Sequence, residues 1–298
     1  MAKRWFALLG LSIVLMMTFI RCGEKNGAED KSVLTVSIPP QKYLLEQIVG
    51  EKFVVNSLLS PGTNPENYDP SMNHLIGMQN SKAYLRMGNI GFEAAALSKI
   101  NDNFPDLKIF NTSAGVPLIR GTHGHHHGHH HGHHEMDVDP HVWTSVKNAK
   151  IIAENMYKAM VEIDSSNKDY YQKRYEALRQ DLELVDDSIT RLLAPIKGET
   201  FLVWHPSLTY MARDYGLKQM SVEYEGKEAT ADHLKHIIDD AKAVSPKVFF
   251  YQKEYDSRQA ELISKEIGTS LTPVNLMNYE WKQEMYNIAN TLASKRDN

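Results

Sequence analysis

The sequence predicts an α/β protein of two lobes, each with a central, mostly parallel β-sheet flanked by helices, joined by a long rigid helix. Two observations predict this fold class. Short β-branched runs alternate with helical segments in residues 33–111 and again in 200–298, and such alternation is typical of parallel sheets covered on both faces. Residues 146–196, between these regions, carry almost no strand pattern.

The first lobe, residues 33–145, begins with the β-branched run VLTVSI and continues with a helical pattern that Gly50 closes. A loop rich in proline and glycine follows the second predicted strand. The strands are predicted over 33–38, 53–59, 83–88 and 107–111, and the helices over 40–50, 71–80 and 92–100.

The connector, residues 146–196, contains two helical segments with apolar residues every three or four positions. The second segment, 168–196, would be about 40 Å long, which is enough to cross a domain. We interpret its apolar stripe as core packing; its members are Tyr171, Tyr175, Leu178, Leu182, Val185, Ile189 and Leu192.

The second lobe, residues 197–298, repeats the alternation of the first. Strands are predicted over 200–204, 217–222, 247–251 and 271–277, and helices over 206–216, 231–244, 257–268 and from about Trp281 onward. Ligands of open α/β sheets bind beyond the carboxyl ends of the strands, so a site is expected in the cleft between the two lobes.

The amino-terminal segment has the pattern of an export signal. Lys3 and Arg4 precede an uncharged, mostly apolar run that ends at Ile20, and the only cysteine of the chain is Cys22. We interpret residues 1–21 as a signal peptide, Cys22 as a lipidation site and 22–32 as a flexible tether. The alternative is a simple signal peptide followed by an incidental cysteine.

The charge balance argues against a nucleic-acid partner, because the chain has 33 basic and 37 acidic residues and no basic cluster. Histidine is distributed very unevenly. The stretch GTHGHHHGHHHGHHE, residues 121–135, has no apolar period and reads as a metal-binding tract. We predict an auxiliary metal loop formed by His123, His125, His126, His127, His129, His130, His131, His133 and His134.

Candidate ligands outside this loop are found where predicted strands end. The loop after the second strand offers Glu66 and Asp69, His141 follows the histidine loop, and His205 lies between an apolar strand and a helix. The remaining histidines, His74, His233 and His236, are expected on helix surfaces without a function.

Four stretches, in this order, resemble the solute-binding proteins of bacterial zinc and manganese ABC importers, the metal-specific group with a rigid helix between two lobes. They are PGTNPENYDP (61–70), DPHVWTSVKNAK (139–150), WHPSLTYMARDYGL (204–217) and EYEGKEATADHLKHIID (223–239). The similarity covers essentially the whole mature chain, and the histidine-rich loop is typical of the zinc-type members.

The resemblance implies a metal site formed by His141 and His205. Glu66 stands where the family normally has a third histidine, and Asn275 stands where it normally has an acidic residue. Zinc accepts histidine nitrogen and carboxylate oxygen, whereas replacing a histidine by a carboxylate moves a site towards manganese. We therefore expect Zn²⁺, with Mn²⁺ as the alternative metal. The resemblance also implies an ABC permease as partner and a place outside the cytoplasm. Cys22 predicts a lipid anchor there, and we expect a monomer.

Two other functions remain open at this point. A His₂Glu zinc site is also used by metallohydrolases, and a zinc buffer would use the histidine loop as its store. The sequence has no HExxH motif, no G-x-S-x-G motif and no cysteine in the mature chain other than Cys22. We therefore expect a carrier, not an enzyme.

Overall fold

The computed structural model describes residues 31–60, 62–65, 68–71, 75–120, 138–223, 231–253 and 257–294, with the side chains of 231–233 excepted. Two four-stranded sheets organise this part of the chain. All strand pairs within them are parallel. Both sheets have the same order, in which the second strand lies outside the first and the third and fourth follow on the other side. The predicted fold class is confirmed.

The first sheet has the order β2-β1-β3-β4. Its strands are β1 (Val33–Val36), β2 (Val54–Ser57), β3 (Ser81–Arg86) and β4 (Lys108–Asn111), and its helices are α1 (Pro39–Val49) and α2 (Gly91–Asn103). Helix α1 starts with two prolines, which are tolerated in a first turn because its N–H groups have no helical partner. It ends at Gly50, where φ is +56° and a Cβ would lie 2.2 Å from the Tyr170 hydroxyl, so only glycine fits.

The connector consists of α3 (Val146–Ile163) and α4 (Lys168–Leu193), with a short 3₁₀ helix at Ser165–Asn167 between them and another at Ala194–Ile196. Ser145 caps α3 by accepting a hydrogen bond from the Asn148 N–H at 3.0 Å. The predicted stripe of α4 packs into the core, although Tyr175 and Leu192 are only partly buried and Leu193 is fully buried.

The second sheet has the order β6-β5-β7-β8. Its strands are β5 (Thr200–Val203), β6 (Lys218–Ser221), β7 (Val248–Gln252) and β8 (Ser270–Val274). Its helices are α5 (Thr209–Tyr215), α6 (Ala231–Val244), α7 (Ser257–Ile267) and α8 (Trp281–Ser294). Helix α5 is shorter than predicted because residues 206–208 form an irregular turn before it.

One hydrophobic core extends from the first sheet through α3 and α4 to one face of the second sheet. A smaller cluster lies on the other face of the second sheet, against α6 and α7; its buried members are Leu202, Val222, Phe249, Ala260 and Ile263. Continuous packing of this kind resists large rigid movements, because separating the halves would expose apolar surface. The lobe boundaries at 145/146 and 196/197 remain predictions.

Within the described residues, no helix is long and apolar enough to cross a membrane. The predicted signal peptide, the tether up to residue 30 and Cys22 lie outside the described residues. The predicted helix at 71–80 is described only in part, with a helical turn beginning at Leu75.

Candidate metal-binding site

The structure brings together the two histidines that the sequence singled out. His141 precedes the 3₁₀ helix Val142–Thr144 that leads into α3, and His205 follows β5 by two residues. Their ring centroids are 5.1 Å apart and the ring planes are inclined by 70°. Both residues are buried, with 5% and 6% of their surface exposed. Two imidazole rings from different parts of the chain are thus direct neighbours in the fold.

Asp139 fixes the orientation of His141. Its Oδ1 accepts a hydrogen bond from the His141 backbone N–H and lies 2.9 Å from the ring Nδ1. Burial alone would raise the pKa of Asp139, but hydrogen bonds with His141 and the Thr209 hydroxyl, together with the charge of His141, hold it below its ordinary value. Asp139 is therefore an anion in the folded protein, and an anionic acceptor holds the proton of His141 on Nδ1.

Glu223 plays the same part for His205, with its Oε2 2.9 Å from Nδ1. The strands explain this contact. Strand β5 pairs with β6, and the Glu223 N–H donates to the Trp204 carbonyl at 2.8 Å just beyond both strands. Glu223 is thereby placed beside His205, the residue that follows Trp204.

Each ring uses its Nδ1 for a carboxylate, so Nε2 is the nitrogen that would bind a metal. This carboxylate–histidine arrangement fixes the tautomer and raises the basicity of the ligating nitrogen. Neither carboxylate was predicted from the sequence. Asp139 could have been found from its position two residues before His141, whereas the contact of Glu223 with His205 depends on the pairing of β5 with β6.

Trp143 forms an apolar wall beside the pair, with its ring centroid 5.3 Å from that of His141. Its Nε1–H donates to the Leu276 carbonyl at 3.0 Å, and its own carbonyl accepts from Trp281 Nε1–H at 2.7 Å. These bonds connect the 3₁₀ helix that precedes the connector with Leu276, after β8, and with the first residue of α8. The site is therefore backed by fully hydrogen-bonded, buried indole rings.

A second set of contacts fixes the backbone at His205. The Ser207 N–H donates to the His205 carbonyl at 2.8 Å, and Gln252 Nε2–H, from the end of β7, donates to Ser207 Oγ at 2.6 Å. The sharp turn between β5 and α5 is thus held by a neighbouring strand. This turn directs the His205 side chain to the carboxyl edge of the sheet.

Asn275 follows β8 directly, at the same edge of the second sheet. Its side-chain Oδ1 accepts a hydrogen bond from the Met277 N–H at 3.1 Å, and its backbone N–H donates to Glu284 Oε1 at 2.8 Å. The amide therefore stabilises the turn that follows β8. Ligation of a metal by Asn275 remains a prediction.

Several predicted residues lie outside the described residues: Glu66, His74, Cys22 and the nine histidines of residues 123–134. Among the described residues, no three His, Cys, Asp or Glu side chains are grouped so that they could hold a metal ion. Asp69, the other carboxylate of the first loop, is exposed and pairs with Lys99 at 2.7 Å. His236 is exposed on α6, as predicted, whereas the side chain of His233 is not described.

The described residues on either side of the histidine-rich segment, 119–120 and 138–139, pair with each other next to His141. Arg120 and Val138 form an antiparallel bridge, and the Asp139 N–H donates to the Ile119 carbonyl at 2.9 Å. Asp139 therefore has two roles. Its backbone N–H helps to pair residues 138–139 with 119–120, and its carboxylate orients His141.

Comparison with known proteins adds three findings. A protein called the high-affinity zinc uptake system protein ZnuA, from Bacillus subtilis, is 25% identical over 294 residues, which cover 95% of this chain and 92% of that protein. A crystal structure of ZnuA superposes with a TM-score of 0.81 at 30% identity and covers 89% of this chain and 99% of its own. A ZnuA deletion mutant with zinc bound gives the same TM-score and identity, with coverage of 90% and 99%.

The family model for ZnuA, described as the periplasmic component A of the zinc-uptake complex, matches residues 34–293. This range includes both sheets, the connector and both oriented histidines. The chain belongs to the ZnuA family.

Proposed function

We propose that this protein captures a divalent transition metal, zinc foremost, outside the cytoplasmic membrane and delivers it to the permease of an ABC importer. Membership of the ZnuA family supports this function. The observation that carries it is the pair His141 and His205, two buried imidazoles 5.1 Å apart that are each oriented by a carboxylate. Such support for the ligating rings is characteristic of metal sites.

The proposed ligands are Nε2 of His141, Nε2 of His205 and the carboxylate of Glu66, with Asn275 as a fourth. Two imidazoles and one carboxylate suit zinc, and a water molecule can complete its coordination. Manganese is the alternative cargo, since oxygen ligands favour it. Asp139 and Glu223 bring two further negative charges next to the ligands, which strengthens the attraction for any dication.

Calorimetric titration with zinc tests the assignment. A protein lacking residues 123–134 should show one dominant tight site, and His205→Ala should abolish it. The matched control is His236→Ala, because His236 is exposed on α6. Tight binding that persists in His205→Ala would refute the assignment, and equal losses in both variants would point to a general effect of removing a histidine.

A growth experiment separates the importer from the two other functions. Deleting the gene should produce a growth defect only when zinc is scarce. A zinc buffer would instead change tolerance to excess zinc, and a hydrolase would turn over a substrate. The family match supports the importer.

We further propose that Cys22 carries a lipid that anchors the mature, monomeric protein to a membrane. The basis is the position of the chain's single cysteine two residues after the end of a short apolar run. Mass spectrometry of the membrane fraction should find a diacylated amino terminus at Cys22. An unmodified protein in the soluble fraction would show that Arg21, in front of the cysteine, prevents lipidation.

A further inference from the structure

Helix α5 belongs to the second lobe, and it contacts the backbone of the segment that contains Asp139. The Tyr210 hydroxyl donates to the Asp139 carbonyl at 2.7 Å and accepts from the Ile119 N–H at 3.2 Å. Tyr210 is fully buried. Burial is also the main reason why its pKa rises to about 12, so the hydroxyl keeps the proton that it donates.

Gln219, on β6, fixes the start of α5. Its Oε1 accepts from the Leu208 N–H at 2.7 Å, and its Nε2–H donates to Thr209 Oγ1 at 2.9 Å. The first turn of α5, which carries Tyr210, is therefore anchored to a strand of the second sheet.

We propose that Tyr210 is a positioning residue through which the second lobe controls metal retention at His141. This inference rests on the proposed function. His205 lies only five residues before Tyr210, so one segment supplies one metal ligand directly and holds the other through the backbone of Asp139. A displacement of α5 by about 1 Å would take the Tyr210 hydroxyl out of hydrogen-bonding range of Asp139.

Metal release follows from the same contacts. The continuous core disfavours a wide opening of the two halves. A shift of α5 by about 1 Å is much smaller than such an opening, although α5 itself packs in that core, and it would free the Asp139 carbonyl and let the His141 ring turn. Docking on a permease needs to supply only such a shift in order to weaken both histidine ligands together.

The test measures the rate at which zinc leaves the full mature chain after a chelator is added. Weak sites empty fast, so the slowest phase reports the tight site. Tyr210→Phe, which loses only the hydroxyl, should accelerate this phase about 10-fold, the lower end of the range for outer contacts of metal sites.

Tyr215→Phe is the matched control. Tyr215 lies on the same helix and is buried, and its hydroxyl donates to Asp186 at 3.1 Å, so it loses a comparable hydrogen bond away from the histidines. Its zinc release should be unchanged even where its melting temperature falls. The absorption bands of bound Co²⁺ should change in Tyr210→Phe and stay constant in Tyr215→Phe, because they report ligand geometry.

Two outcomes would overturn the proposal in distinguishable ways. Release from Tyr210→Phe at the rate of Tyr215→Phe would show that Tyr210 has a structural role only. A wild-type protein with no slow phase that His205→Ala eliminates would refute the metal site itself, and the inference with it.

Discussion

Removing the carboxylate that orients His141 should weaken zinc binding without unfolding the protein. Asp139 Oδ1 accepts two hydrogen bonds from His141, one from the backbone and one from the ring. In Asp139→Asn an amide oxygen can still accept both, so the variant loses mainly the negative charge. In Asp139→Ala the ring loses its acceptor as well, and the proton can move to Nε2, where it blocks the metal.

The magnitudes follow from this difference. Outer-shell partners of ligating histidines typically contribute 10- to 100-fold in affinity. We expect Asp139→Asn to weaken zinc binding about 10-fold, or about 1.4 kcal/mol. Asp139→Ala should weaken it about 100-fold, or about 2.7 kcal/mol. Competition with a zinc chelator, on protein lacking residues 123–134, measures both.

Asp181→Asn serves as the control, because Asp181 pairs with Lys282 and its side chain is 41% exposed. Its zinc affinity should equal that of the parent. Wild-type affinity in Asp139→Ala would refute the reasoning, since His141 would then need no orienting acceptor. A larger loss in Asp139→Asn than in Asp139→Ala would also contradict it.

Three further predictions concern other parts of the chain. Asn275→Asp should tighten zinc binding, measured by calorimetry, by restoring a charged oxygen ligand. Unchanged affinity would mean that the side chain only stabilises the turn after β8, through its hydrogen bond from the Met277 N–H. Burial raises the pKa of Glu93 above 4.5, although hydrogen bonds from Ser37, Gly88 and Met87 lower it. The folded state therefore holds the proton of Glu93 more firmly than the unfolded state. The free energy of unfolding should therefore fall as the pH rises from 4.5 through the folded pKa, and Glu93→Gln should remove this fall in urea titrations; identical pH profiles would disprove the assignment. Deleting residues 123–134 should slow zinc uptake from depleted medium at pH 7 and leave the tight affinity unchanged, because neutral imidazoles, with a pKa near 6.5, capture metal beside the site. Uptake equal to that of the wild type would show that the loop is not a metal antenna.

The sequence was sufficient to predict the elements and their order. Local patterns decide these features: β-branched runs such as Val33–Val36 form strands, and an apolar residue at every third or fourth position, as in Lys168–Leu193, forms a helix. The positions of His141 and His205 at the ends of elements were predicted for the same reason. Both are buried and close together in the structure.

The strand order, and with it the contact between Glu223 and His205, could not be predicted in this way. Glu223 reaches His205 only because β6 pairs with β5, and the pairing of strands depends on how their crossover helices pack. The role of Tyr210 is even less visible, because its partners Ile119 and Asp139 are distant in the sequence. The helical pattern of α5 gives the same description for Tyr210 and Tyr215, which have different partners.

The paired ends at Arg120 and Val138 have a consequence for how this protein can evolve and be engineered. Loop-closure entropy grows only with the logarithm of length, so doubling an insertion between fixed ends costs about 0.6 kcal/mol. Histidines can therefore be gained, lost or duplicated at this point almost without a penalty in folding. A binding tag or a fluorescent reporter inserted between these two residues should be accepted equally well, which would turn the protein into a sensor without altering the residues that hold the metal.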